Sequence, residues 1–175
     1  TYSSAGSITV GDVDPEFPVS PGFIAMDGER HTKHRKTVQP VVAPRNLKLM
    51  EPLIRERVIQ ILDSLPIGET FDWVDKVSIE LTTAMLATMF DFPFEERRKL
   101  TFWSDMATAS PAQVGADGTT EEERREHLLE CLATFQGLLS ERKGKDHSID
   151  FVSLLANGKD TQDLEPLEYL GTLIL

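Results

Sequence analysis

From Pro44 to Leu65 the apolar residues Leu47, Met50, Ile54, Val58, Ile61 and Leu65 recur at steps of three and four. That spacing places them on one side of an α-helix. An amphipathic helix owes most of its stability to a covered apolar stripe, so the chain must bring other elements against it. Those elements also read as helices. Asp75 to Phe92 carries Val77, Leu81, Ala84, Met85, Thr88 and Met89 on a largely buried face. Pro93 opens a further helix with Glu95 and Glu96 in its first turn, where the macrodipole favours acids. It fades in the polar stretch SPAQVGADG, Ser110 to Gly118.

Thr120 with Glu123 fits a capping box, and the helix it starts carries Leu128, Leu132, Phe135 and Leu139 on one stripe. Glu121 and Arg125 are spaced to pair on its surface. SIDFVSLLANG reads as a short helix stopped at Asn157-Gly158, and Pro166-Leu167 begins a last apolar segment. Residues 28–42 predict a helix ending near Pro44. Residues 1–26 hold Pro15, Pro18 and Pro21 with Gly6, Gly11 and Gly22, which predicts a loop with a short strand at Ser7–Val10. Phe71–Val74 alternates apolar and polar residues, as a second short strand would. The expected fold is mainly α, with little β, in one unit.

The formal net charge is −11, which argues against generic nucleic-acid binding, since that rests on neutralising phosphates. The one cysteine, Cys131, can form no internal disulfide and fits a reducing, cytoplasmic setting. No stretch is long and apolar enough to span a bilayer; Val77–Phe90 is too short and is interrupted by Glu80. The N-terminus has neither the basic nor the apolar region of a secretory signal. The chain lacks an initial Met and stops inside YLGTLIL. It reads as a piece of a longer protein; the alternative is a processed domain whose last segment docks in its core.

Against this acidity, MDGERHTKHRK (Met26–Lys36) gathers His31 and His34 with Arg30, Lys33, Arg35 and Lys36. On a helix His31 and Arg35 are one turn apart and share a face, with His34 at its border. Imidazole and guanidinium together present a fork of donors to a carboxylate or phosphate. On the residues alone, the same segment reads more readily as a solvated basic face. A zinc site fits less well, because H-x-x-H lacks the zincin spacing and a third ligand. Cys131 sits among apolar neighbours and reads as a small buried hydrophobe. Trp73 and Trp103 read as core or pocket wall. His127 and His147 lie in charged stretches and suggest nothing specific. Phosphate-binding glycine loops, a nucleophile elbow and paired CxxC motifs are absent. No residue of the chain is assigned a catalytic or metal-ligating role.

The stretch FIAMDGERHTKHRKTVQPVVAPRNL resembles the segment leading into and through the C helix of cytochrome P450 monooxygenases, with its pattern M-D-P-P-x-H-x-x-x-R-x-x-V. The text onward through ILDSLPIGETFDWVDKVSIELTTAMLATMFDFPFEERRKLTFWSD is similar to the bacterial soluble alkane terminal hydroxylases of that family. The likeness runs from about Ile8 to Leu175. H-x-x-x-R alone is weakly specific, whereas the long collinear match is strong.

The resemblance implies a partial P450 fold. Residues 1–26 would be the B–C loop, 27–165 the C to H helices, and 166–175 the start of the I helix. It implies haem b as cofactor, with His31 and Arg35 on a haem propionate. It places Phe23, Ile24, Trp103, Met106, Leu173 and Leu175 near the substrate pocket or its roof. It implies hydroxylation of medium-chain alkanes or similar aliphatic chains at the terminal carbon, with O2 and electrons from a ferredoxin and its reductase. Lys33 and Lys36 would contribute to a docking patch. The axial cysteine lies outside this sequence and Cys131 does not match it, so this stretch alone is expected to be inactive. Gly28-Glu29 replaces the family's Pro-Pro, which loosens the entry to the helix. From another class, the alternative is a helical interaction module without cofactor.

Overall fold

The side chain of Phe135 is where the helices of this chain meet. Its ring lies 5.6 Å from Phe90, 5.7 Å from Phe92 and 6.2 Å from Trp103, and its carbonyl accepts a hydrogen bond from the Tyr169 hydroxyl at 3.5 Å. The structure is a computed structural model describing residues 3–5, 22–108, 119–145 and 149–174. The strand expected at Ser7–Val10, the polar stretch at 110–118, His147 and Leu175 lie outside the described residues.

The α-helices are α1 (Gly28–Val38), α2 (Pro44–Asp63), α3 (Glu80–Phe90), α4 (Arg98–Thr108), α5 (Glu121–Arg142), α6 (Phe151–Asn157) and α7 (Pro166–Leu173). Short 3-10 turns occupy Phe23–Ala25, Gln39–Val42 and Phe94–Glu96, and a π-helical segment, Val74–Ile79, runs into α3. The expected helix at 28–42 is therefore α1 plus a 3-10 turn containing Pro40, whose missing N–H cannot continue the α ladder. The helix expected from Pro93 begins as the turn Phe94–Glu96 before α4.

The expected strand at Phe71–Val74 is not formed. Asp72 Oδ1 accepts the backbone N–H groups of Val74 at 2.8 Å and Asp75 at 3.2 Å, so it caps the start of a helix. A strand also needs a neighbour for its backbone groups, and no strand occurs among the described residues. Alternation over four residues was a weaker signal than an Asp at a helix entry.

The capping box at Thr120 is present in full, each partner closing the other's backbone N–H. The expected Glu121–Arg125 pair is not. Glu121 pairs with Arg124 at 3.2 Å, because Arg124 folds back to donate to the Met106 carbonyl at 2.5 Å at the end of α4. Asp150 caps α6 through the Ser153 N–H at 2.8 Å and also meets Arg142, which donates to the Asp91 carbonyl at 2.8 Å. Gly158 follows α6 where expected. A Cβ there would come within 2.5 Å of Thr37 Cγ2 and Thr161 Oγ1. Its lack of a side chain is what lets α1 close onto this turn.

The core comprises Val38, Ala87, Phe90, Phe92, Leu100, Trp103, Cys131, Phe135, Val152, Leu155, Tyr169, Leu170 and Leu173. It joins α3, α4, α5, α6 and α7, and α1 closes its edge. Among the described residues no helix is long and apolar enough to cross a membrane.

Candidate functional site

Two serines and a glycine set the entry of α1. The Asp27 carboxylate accepts from the Ser3 hydroxyl, from Ser4 N–H at 3.2 Å and from Ser4 Oγ at 3.0 Å, and these bonds hold it below the usual carboxylate range. Gly28 takes φ +63°, which proline cannot adopt. The departure from Pro-Pro thus changes how the chain turns into α1 rather than only loosening it.

The helix then presents two adjacent stripes about 100° apart. Arg30, His34 and Val38 form the inner one. Val38 and His34 are buried, and Arg30 Nη2 meets Glu168 Oε1 of α7 at 2.5 Å. His31 and Arg35 form the outer one. His31 is half-buried, its ring 6.2 Å from that of Phe23. Arg35 is exposed, and among the described residues it has no ion-pair or hydrogen-bond partner. Lys33 pairs with Glu29 at 2.9 Å on the solvated side, and Lys36 is exposed.

This corrects the sequence reading of His34 as surface charge. It is 4% exposed, its Nδ1 has no hydrogen-bond partner among the described residues, and burial pushes its pKa down. The signal was present in the sequence: His34 stands one turn before Val38, on the apolar side of the helix. Arg30 is likewise engaged by Glu168 rather than left to solvent.

Among the described residues, those expected near a substrate pocket come from the 3-10 turn Phe23–Ala25, α4 and α7. Phe23 and Ile24 share the 3-10 turn that packs on α7, with Ile24 exposed and Phe23 against the core. Leu173 is buried in the core from α7. Trp103 and Met106 come from α4. Met106 is half-buried, while Trp103 is 1% exposed and packs edge-on against Phe92. Trp103 is thus a core residue in this structure, one of the two readings open for it. An open cleft of about 440 Å³ lies beside α1, lined by Glu29, Arg30, Lys33, His34 and Asp160. Its charged lining cannot hold an alkane.

Cys131 is 1% exposed in α5, and burial pushes its thiol up to about 12, so it offers no thiolate. Among the described residues no three His, Cys, Asp or Glu side chains gather as metal ligands. What α1 offers is a guanidinium unpaired among the described residues, with an imidazole one turn away. Such a pair fits an acidic group held against the outer stripe.

No protein-family model matches the chain. It is 42% identical to a cytochrome P450-153 from Novosphingobium aromaticivorans, over 97% of this chain and 40% of that one, with a TM-score of 0.78. It is also 42% identical to CYP153D17 from Sphingomonas sp. PAMC 26605, over 99% of this chain and 44% of that one, with a TM-score of 0.80. Linalool 8-monooxygenase from Pseudomonas putida is 27% identical over 164 residues, 91% of this chain and 39% of the relative. The chain therefore spans about two fifths of the length of the relatives it matches. These relatives are haem b proteins, and the acidic group that haem b brings is a propionate, which suits the outer stripe. The matches displace the alternative of a cofactor-free interaction module: this chain belongs to the cytochrome P450 family and resembles its P450-153 members.

Proposed function

We propose that this chain is part of a haem-thiolate monooxygenase that hydroxylates medium-chain alkanes or similar aliphatic chains at the terminal carbon. The observation that carries the reading is the 42% identity to two P450-153 structures along nearly the whole chain. When bound, the haem supplies the oxygen chemistry, in which one atom of O2 enters a C–H bond. The contribution of this chain is to hold and enclose. His31 and Arg35 would bind a propionate, and Arg35 is available for that task because no carboxylate among the described residues occupies it. Residues 27–165 would correspond to the family's C to H helices and 166–175 to the start of its I helix.

An alkane has no hydrogen-bonding group, so its site must work by apolar burial, about 0.8 kcal/mol per methylene. Phe23, Ile24, Trp103, Met106, Leu173 and Leu175 are the apolar candidates for that lining. Electrons would come from a ferredoxin and its reductase, with the exposed Lys36 of α1 in the docking patch.

The test uses the complete protein with a ferredoxin, its reductase and a series of n-alkanes. The expected products are primary alcohols, and the reduced, carbon monoxide-bound protein should show the red-shifted Soret band of thiolate ligation. Subterminal alcohols as the main products would overturn the terminal assignment, and a spectrum without that band would overturn the haem-thiolate reading.

A further inference from the structure

His31 and Arg35 share α1 with an inner stripe that packs on its other side. The inner stripe carries a buried charge: the side chain of Glu168 is 9% exposed, in the first turn of α7. A carboxylate this buried is stable only when paired. Arg30 reaches it from α1 at 2.5 Å, with a side chain that stays 62% exposed along its length. The first turn of α7 adds a favourable dipole. One turn after Arg30, His34 is packed against the same seam, facing Glu168 from α7, Arg30 from its own helix and Asp160 from the turn after α6. With Nδ1 unpartnered and burial opposing its protonation, His34 brings no second cation to compete for Glu168. The turn holding Phe23, which faces the His31 ring, also packs on α7. Helix α7 thus meets both Arg30 of α1 and the turn that faces His31.

We propose that Glu168 is a positioning residue: by holding Arg30 it sets the rotation of α1, and so aims His31 and Arg35 at the haem propionate. The inference rests on the reading of His31 and Arg35 given above. Rotation is the sensitive coordinate, since one residue's worth of twist, about 100°, separates the stripe that packs from the stripe that binds.

The experiment is a cycle in the complete haem-loaded protein, reading the rate of haem transfer to excess apomyoglobin. The proteins are the wild type, Glu168→Gln, His31→Ala with Arg35→Ala, and the combination of all three. The expected rates are about threefold faster for Glu168→Gln and about tenfold faster for the His31/Arg35 pair. The combination should be no faster than the pair, because a positioning residue has nothing left to aim. Multiplication of the two effects would make Glu168 merely structural and overturn the proposal, as would an unchanged rate for Glu168→Gln alone. An unchanged rate for the His31/Arg35 pair would overturn the propionate reading itself. Arg30→Gln breaks the same ion pair from its exposed side, should follow the same pattern, and decides the matter if Glu168→Gln does not fold.

Discussion

Helices α2 and α5 are nearly equal in length, 20 and 22 residues, and both read from the sequence as amphipathic. Their fates differ. α5 buries Leu128, Cys131 and Phe135, whereas α2 fully buries nothing: its stripe residues Met50, Ile54, Val58 and Ile61 are only half-buried, and Leu47 and the off-stripe Leu49, Ile59 and Leu62 are exposed. α5 is surrounded by α4, α6 and α7; α2 rests on α3 and the turn before it. One of its ties is polar: Arg57 stacks 4.5 Å above the Phe94 ring and donates to Thr88 Oγ1 at 3.0 Å. A periodic stripe thus says that a helix has a face to bury, and not how completely it will be covered. The chain matches about two fifths of its relatives' length, so a cover for α2 from elsewhere in a full-length member is consistent with that contrast.

The contrast can be broken by substitution, with urea unfolding of the 175-residue chain as the measurement. Phe135→Ala should have the largest effect, a loss of about 3–5 kcal/mol, because it empties the centre of the aromatic cluster. Arg57→Met should cost about 1–2 kcal/mol by removing the stacked cation and its hydrogen bond. Leu49→Ala should change stability by no more than about 0.5 kcal/mol, since the side chain is 72% exposed. A cost for Leu49→Ala approaching that of Phe135→Ala would show that α2 is covered in this chain and erase the difference between the two helices.

The smallest expected effect is a pH dependence at the seam of α1 and α7. Burial holds His34 below the ordinary imidazole value of about 6.5, so between that value and its native pKa the unfolded chain binds more protons than the folded one. Stability should therefore be full above about pH 6.5 and decline as the pH falls below it. His34→Gln should remove this decline. Glu80 also titrates below its ordinary value: burial pushes it up, but Arg97 and Arg98 together outweigh that. Its contribution should be lost only in the more acid range of carboxylates, and should survive His34→Gln. A decline near pH 6 that persists in His34→Gln would assign it to another group.

Much of the helical architecture could be read from residue patterns. The stripe of α2, the capping box of α5 and the Asn157-Gly158 stop of α6 are local codes, and the structure carries each of them. What could not be read depends on partners distant in sequence. Glu121 takes Arg124 because α4 supplies carbonyls to that arginine, and no helix-surface rule contains α4. His34 is buried because α6 and the turn after it close onto α1, with Glu168 of α7 near its ring. Trp103 packs into the core because Phe92 and Phe135 are there to receive it. The candidate site divides the same way. The i, i+4 spacing of His31 and Arg35 gave a fork of donors, while Glu168, 138 residues beyond Arg30, was invisible to spacing.

The central claim is that the outer stripe of α1, and not its general basicity, binds the cofactor. The most direct measurement compares haem retention in the complete protein for His31→Ala with Arg35→Ala against Lys33→Ala with Lys36→Ala. Arg35 and the two lysines are cations of the same helix, but the lysines belong to the solvated side. The account predicts haem loss about tenfold faster for the first pair and unchanged for the second. Equal acceleration in both pairs, or none in the first, would contradict it.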